Sequence, residues 1–235
     1  MVSWPKQMRK TDPIDARIIL RFARLMQPQP TPPPPPDAIE LADLVRRRRQ
    51  VLDMMAIEKQ RLEHPEAELA RTSLKAHIAF MANQISDLDA AITERIAQNA
   101  ELKRRAELLV SIPGIGRTTA AVLVAEMPEL GSIDSKQVAA LAGVAPFVRE
   151  SGQFRGQAHI GGGRISVRCA LYMATISAIR ANPQIKTFYR RLRDNGKPAK
   201  LAIVAAMRKL LITANAIIAT GRPWQPDSHP NTNQT

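Results

Sequence analysis

SIPGIGRTTAAVLVAEMPELG, residues 111–131, sets two closely spaced glycines between two apolar segments. Apolar residues at helical spacing run up to Val110 and resume at Ala120, so a turn here joins two helices rather than two strands. Gly114 and Gly116, two apart, close one helix and open the next, which is the pattern of a helix-hairpin-helix unit. Backbone N–H groups at such a helix start carry partial positive charge and suit a phosphate oxygen. Glycine keeps side chains out of the way of the approaching phosphate backbone, and the contact is blind to base sequence. Gly114, Gly116 and Arg117 are therefore candidate nucleic-acid contacts. An ordinary tight turn between packed helices is the competing reading.

Downstream, apolar periodicity predicts helices near residues 102–110, 117–126, 135–142, 164–181, 183–194 and 198–220. Residues 144–163 contain five glycines and little helical period, and read as a short hairpin and a loop. Upstream, Leu41, Val45, Leu52, Met55 and Leu62 form a heptad seam, with Arg48 and Lys59 at the positions between them. A second seam runs through Leu74, Ile78, Met81, Ile85, Leu88, Ile92 and Ile96. Two heptad helices joined by His64-Pro65 are either an intramolecular hairpin or a coiled coil between chains, and the continuity of the second seam favours a coiled coil that dimerises. Residues 28–36 hold seven prolines and read as a polyproline II spacer, preceded by one more helical pattern up to Met26. The expected fold is mainly α. Its parts are an N-terminal segment (1–27), a Pro-rich linker (28–37), a coiled coil (38–98), a helical domain (101–225) and a disordered tail (226–235).

Composition narrows the function. The 235 residues carry 34 basic and 21 acidic side chains, a net charge of +13. That charge is unevenly placed: residues 37–100 have 9 basic and 11 acidic groups, whereas residues 141–235 have 14 and 3. A block that cationic, with apolar periodicity between its charges, points to a folded polyanion-binding surface. One cysteine and four histidines leave no disulfide framework and no Cys- or His-based zinc site. No stretch approaches 18 consecutive apolar residues and the N-terminus lacks a secretory pattern, so a cytosolic protein without a membrane span is expected.

Two further segments bear on chemistry. Ser151 lies in RESGQFRG, residues 149–156, flanked by Arg149 and Arg155. A triple glycine then leads into a helix whose first turns carry Arg164 and Arg168. A serine hydroxyl among arginines can attack a phosphodiester, with the guanidinium groups stabilising the transition state. A Ser-Gly turn of purely structural role has the same appearance, and His159 reads as a loop or core residue as readily as a base. Asp12 and Asp15, three apart, share a helix face and can hold Mg²⁺ jointly. The same Asp-Pro-Ile-Asp also fits a helix cap with proline at the first position.

The runs KTDPIDARIILRFA (10–23), RRRRQVLDMMAIEKQRLE (46–63) and SIPGIGRTTAAVLVAEMPELG (111–131), with the Ser-Gly segment and basic helices of residues 143–211, closely resemble one family. It is the bridge-RNA-guided insertion-sequence transposases, family one-ten, related to the Piv invertase. The resemblance extends from Lys10 to Trp224 and implies a RuvC-like domain with an Asp-Glu-Asp-Asp metal site, a coiled coil and a C-terminal domain bearing a serine nucleophile. Asp12 and Asp15 correspond to the last two carboxylates and Ser151 to the nucleophile. Gly114, Gly116, Arg117, Arg149, Arg155, Arg164 and Arg168 stand as DNA or RNA contacts. The implied partners are DNA, a structured guide RNA and further copies of the chain; the implied cofactor is Mg²⁺, and the implied compartment is the bacterial cytosol. The eleven residues before Asp12 contain neither of the first two acids. The expectation is therefore an N-terminally truncated copy, with the RuvC-like α/β domain largely missing and no recombination activity. A non-catalytic dimeric nucleic-acid-binding protein is the alternative.

Overall fold

The computed structural model describes residues 12–27, 35–64, 67–147, 150–151, 154–155 and 159–226. They fall into two units, Met1–Pro35 and Pro36–Thr235. The first contains α1 (Asp12–Met26), which accepts Pro13 in its opening turn because no backbone donor is needed there. Ile18, Ile19, Phe22, Leu25 and Met26 are exposed along it. The linker expected over residues 28–37 lies mostly outside the described residues, and its last proline, Pro36, already opens the next helix.

The second unit begins with α2 (Pro36–Arg61) and α3 (Glu68–Gln98), which pack on one another as a helical hairpin. Their ion pairs show the antiparallel order: Asp37 and Glu40 meet Arg95, Arg48 meets Asp89, and Glu58 meets His77. The two seams face each other within the chain. Leu41, Val45, Met81 and Ile92 are buried, and the seam residues between them are half-buried. Arg48 occupies a seam position because Asp89 across the hairpin accepts its guanidinium at 2.5 and 3.0 Å. Lys59 sits at an exposed end of α2.

Asn99 ends α3 and starts α4 (Ala100–Val110) by accepting the N–H groups of Glu101 and Leu102. A turn leads to α5 (Arg117–Glu126), and a capping box of Asp134 and Gln137 starts α6 (Ser135–Leu141). Four two-residue strands follow: β1 (Pro146–Phe147), β2 (Glu150–Ser151), β3 (Phe154–Arg155) and β4 (His159–Ile160). Then come α7 (Ile165–Ala181), α8 (Pro183–Asp194, capped by Asn182 with proline first) and α9 (Ala199–Thr220). The fold is mainly α, and the strands sit where the glycine-rich interval predicted a hairpin.

Helix α9 organises the core. It packs on α4, α6, α7 and α8 and buries Ala202, Ala206, Leu210, Leu211, Ala214 and Ile217. With 22 residues and a mean hydropathy of 1.8 in its most apolar window, it is long and apolar enough to cross a membrane, although its sequence is not one unbroken apolar run. In this fold that apolarity covers the core. Asn215, buried among these residues, accepts the Gly131 N–H at 2.7 Å and donates to the Ile133 carbonyl, tying the α5–α6 connection to α9. The hairpin shares this core through Leu41, Val45 and Ile92, so the boundary near residue 100 divides the sequence but not the packing. The tail after Pro226 lies outside the described residues.

Candidate functional site

Ser151 ends β2, and Glu150 and Ser151 pair antiparallel with Arg155 and Phe154. This inner ladder is enclosed by an outer one in which Pro146 pairs with Ile160 and Phe147 with His159. Ser151 thus lies in the inner of two nested antiparallel ladders. The register sets His159 opposite Phe147, so the pairing supplies Ser151 with no histidine across the ladder. Arg155 lies one strand away, opposite Glu150, and Arg149 lies outside the described residues.

The exit of this hairpin is held by charge and by close backbone contact. Gly163 adopts φ +60°, and a Cβ there would stand 2.3 Å from the Gly143 nitrogen, so the glycine loop and the end of α6 cross where only glycine fits. The Arg164 N–H donates to the Leu141 carbonyl at 2.8 Å. The Arg164 guanidinium forks onto Glu129, at 2.7 and 2.6 Å. That hydrogen bond, more than their charges, lowers the Glu129 pKa and raises that of Arg164. Arg168 donates to the Gly162 carbonyl at 2.7 Å, and the Ser166 hydroxyl donates to Glu126. Of the arginines expected to meet phosphate, Arg164 is engaged here by Glu129 and Arg168 by the Gly162 carbonyl. Sequence reasoning overlooked Glu126 and Glu129, because only tertiary packing brings them to the start of α7.

The turn between α4 and α5 separates its two glycines. Gly114, at φ +104°, would place a Cβ 2.5 Å from the Ala178 Cα, so it admits helix α7. The approach of α7 is thus by itself a reason for glycine at this position. Gly116 has an ordinary φ of −85°, nothing within 4 Å of a Cβ, and no side-chain cap on α5. The N–H groups of the first turn of α5 lack intrahelical acceptors. Arg117 and Thr118 beside them are exposed, and Arg117 has no ion-pair or side-chain hydrogen-bond partner among the described residues. Arg117 and Thr118 also line a cavity of about 1000 Å³ bounded by α2, α3, α4, α5 and α7.

Asp12 opens α1 and Asp15 is exposed one turn on. Among the described residues no group of three or more His, Cys, Asp or Glu side chains is gathered to hold a metal. Two carboxylates are an insufficient donor set for a two-ion phosphoryl-transfer centre.

Two family patterns match the chain: one described as "Transposase IS116/IS110/IS902 family" over residues 106–190, and a DEDD-type one described as "Transposase" over residues 4–65. The second implies use of a divalent metal. The pilin gene-inverting protein of Moraxella bovis is 32% identical over 224 residues, covering 94% of this chain and 69% of that protein. The pilin gene-inverting protein of Moraxella lacunata is similar to the same extent. An uncharacterised 42 kDa protein of insertion element IS900 from Mycobacterium paratuberculosis is 30% identical over 69% of this chain and 41% of its own length. The matched N-terminal segment, the matched helical domain with its Ser-Gly hairpin, and identity along nearly the whole sequence agree: the chain belongs to the IS116/IS110/IS902 family of transposases.

Proposed function

We propose that this protein binds DNA through its α4–α5 turn, read as a helix-hairpin-helix unit, and presents Ser151 as the nucleophile of strand cleavage and exchange directed by a structured guide RNA. The observation that supports it most is the position of Ser151 in the inner of two nested ladders, followed by a glycine loop that Arg164, Arg168 and Glu129 hold at the start of α7. Attack by the Ser151 Oγ forms one ester bond to phosphorus as one P–O bond of the DNA strand breaks. The serine proton passes to solvent and the departing strand oxygen takes one up. The phosphoserine ester keeps the bond energy needed for rejoining. Arg149 and Arg155, the flanking cations, are the residues proposed to stabilise the added phosphoryl charge, and Arg117 and Gly116 the duplex contacts.

Asp12 and Asp15 are proposed as two carboxylates of a Mg²⁺ site. The family's divalent-metal use supports that role. The protein is proposed to act in the bacterial cytosol as at least a dimer, assembled through the hairpin of α2 and α3. The same donor set favours a second reading, a non-catalytic dimeric nucleic-acid-binding protein. Strand exchange separates the two. A fusion joining residues 10–225 to the part of the Moraxella bovis relative that lies outside its match should recombine DNA when supplied with Mg²⁺ and a matching RNA. Ser151→Ala in that fusion should abolish exchange and leave DNA binding nearly unchanged. Binding without exchange by the unsubstituted fusion would favour the non-catalytic reading.

A further inference from the structure

Basic side chains in this protein are of two kinds. Most arginines of the hairpin are matched by carboxylates within the chain: Arg46 with Asp43, Arg48 with Asp89, Arg49 with Asp53, Arg61 with Glu58, and Arg95 with Asp37 and Glu40. Residues 165–226, by contrast, hold eleven Lys and Arg and a single acid, Asp194. No carboxylate lies within ion-pair distance of these eleven among the described residues.

The unmatched charges are densest where α8 turns into α9. Along α8, Ile185, Phe188 and Leu192 face inward, which leaves Lys186, Arg190 and Arg193 on the outer side at i, i+4 and i+7. At about 1.5 Å per residue they span about 10 Å, two helical turns. The connection is tight: the Lys197 N–H donates to the Leu192 carbonyl at 3.0 Å, and Arg193 donates to the Lys197 carbonyl at 2.6 Å. Lys197 and Lys200 are thereby brought beside the α8 stripe. The Phe188 ring binds the two helices further, with Arg191 of α8 at 5.4 Å and Lys209 of α9 at 5.0 Å from its centroid. Like charges held this close on packed helices repel one another, and a polyanion relieves that repulsion. Duplex nucleic acid offers one phosphate per about 1.7 Å of axis, so the α8 stripe alone spans several.

We infer that the face formed by Lys186, Arg190, Arg193, Lys197 and Lys200 is a second phosphate-binding surface, which grips the backbone of a duplex independently of the α4–α5 turn. The inference rests on the nucleic-acid-binding reading above.

The test compares two triple variants of the full chain, each removing three positive charges. Lys186→Gln, Arg190→Gln and Lys200→Gln alter the proposed face, where none of the three has an internal partner among the described residues. Arg46→Gln, Arg49→Gln and Arg61→Gln alter the carboxylate-paired hairpin. Binding to labelled DNA and RNA duplexes is followed by fluorescence anisotropy across a salt series, with circular dichroism to verify that both variants keep their helices. The slope of log K against log salt should become shallower by about 2.7 for the α8–α9 variant, at about 0.9 per phosphate contact, and stay unchanged for the hairpin variant. Loss on both duplexes supports a shared backbone contact, and loss on one alone identifies whether DNA or RNA is the ligand of this face. A full chain that binds with a steep salt slope but loses the same amount in both variants overturns the inference and leaves DNA binding intact. A full chain whose binding to both duplexes is insensitive to salt overturns the nucleic-acid reading itself.

Discussion

Gly114 and Gly116 stand two residues apart in one turn, and the structure predicts opposite consequences for Gly114→Ala and Gly116→Ala. At Gly114 the new methyl would sit 2.5 Å from the Cα and Cβ of Ala178, and the φ of +104° is one that L side chains rarely adopt. Forcing such a backbone angle costs about 1–3 kcal/mol, and crowding a packed contact adds a further ~1–3 kcal/mol. The colliding atoms belong to the α7 backbone, so relief requires moving a helix rather than turning a side chain. For a unit of this size each kcal/mol lowers Tm by roughly 2–4 °C, so Gly114→Ala should melt at least about 4 °C lower. At Gly116 the methyl meets open space, and Ala is a slightly poorer cap than Gly, so stability should change by less than ~1 kcal/mol. If a phosphate lies on the first turn of α5, however, the methyl displaces it. Losing one hydrogen bond to a charged group, about 1.5 kcal/mol, should weaken duplex binding about tenfold. Calorimetry and anisotropy on both variants decide the matter. A Gly114→Ala protein as stable as the parent would refute the packing argument, and unchanged binding by Gly116→Ala would refute the phosphate contact.

Two other outcomes follow from particular contacts. The forked bond from Arg164 holds the Glu129 carboxyl below the usual carboxylate range. Its stabilisation is therefore complete above the ordinary carboxylate pKa and disappears as pH falls through the lowered folded value. Glu129→Gln should cost about 1–2 kcal/mol at neutral pH, allowing for partial exposure, and should flatten that part of the pH profile in urea unfolding. An unchanged profile would remove the clamp from the account. On the hairpin, Met54, Ile57, Leu69 and Phe80 remain exposed after α2 and α3 have packed. If the hairpin joins chains, Ile57→Asp with Phe80→Asp should convert an oligomer into a helical monomer in sedimentation; a parent protein that is already monomeric contradicts dimerisation.

Local signals made most of the helical framework legible. Asn99, Asp134 and Asn182 carry caps, Pro183 opens α8, and Gly221 closes α9 in a left-handed conformation. Each signal lies within a turn of the boundary it sets, so the expected and observed helices from residue 100 to 220 agree closely. Long-range packing was not legible. A heptad seam has the same pattern whether its partner is in the same chain or another, and here α3 meets α2. Gly114 and Gly116 look equivalent in sequence, yet only the approach of Ala178, more than sixty residues on, determines that one faces inward. Arg164 likewise has the composition of a phosphate ligand until the fold brings up Glu129.

The most direct test of the central claim is the chemistry of Ser151 itself. The fusion, incubated with guide RNA, Mg²⁺ and a target duplex nicked to trap the covalent state, is digested with trypsin and nuclease and analysed by mass spectrometry. Cleavage after Arg149 and Arg155 isolates the peptide ESGQFR, residues 150–155, which contains no other hydroxyl side chain. With Ser151 as the nucleophile, this peptide carries a nucleotide phosphate on Ser151, and the adduct is absent from Ser151→Ala. Recombination that proceeds with ESGQFR unmodified, or with the adduct on another residue, would contradict that role.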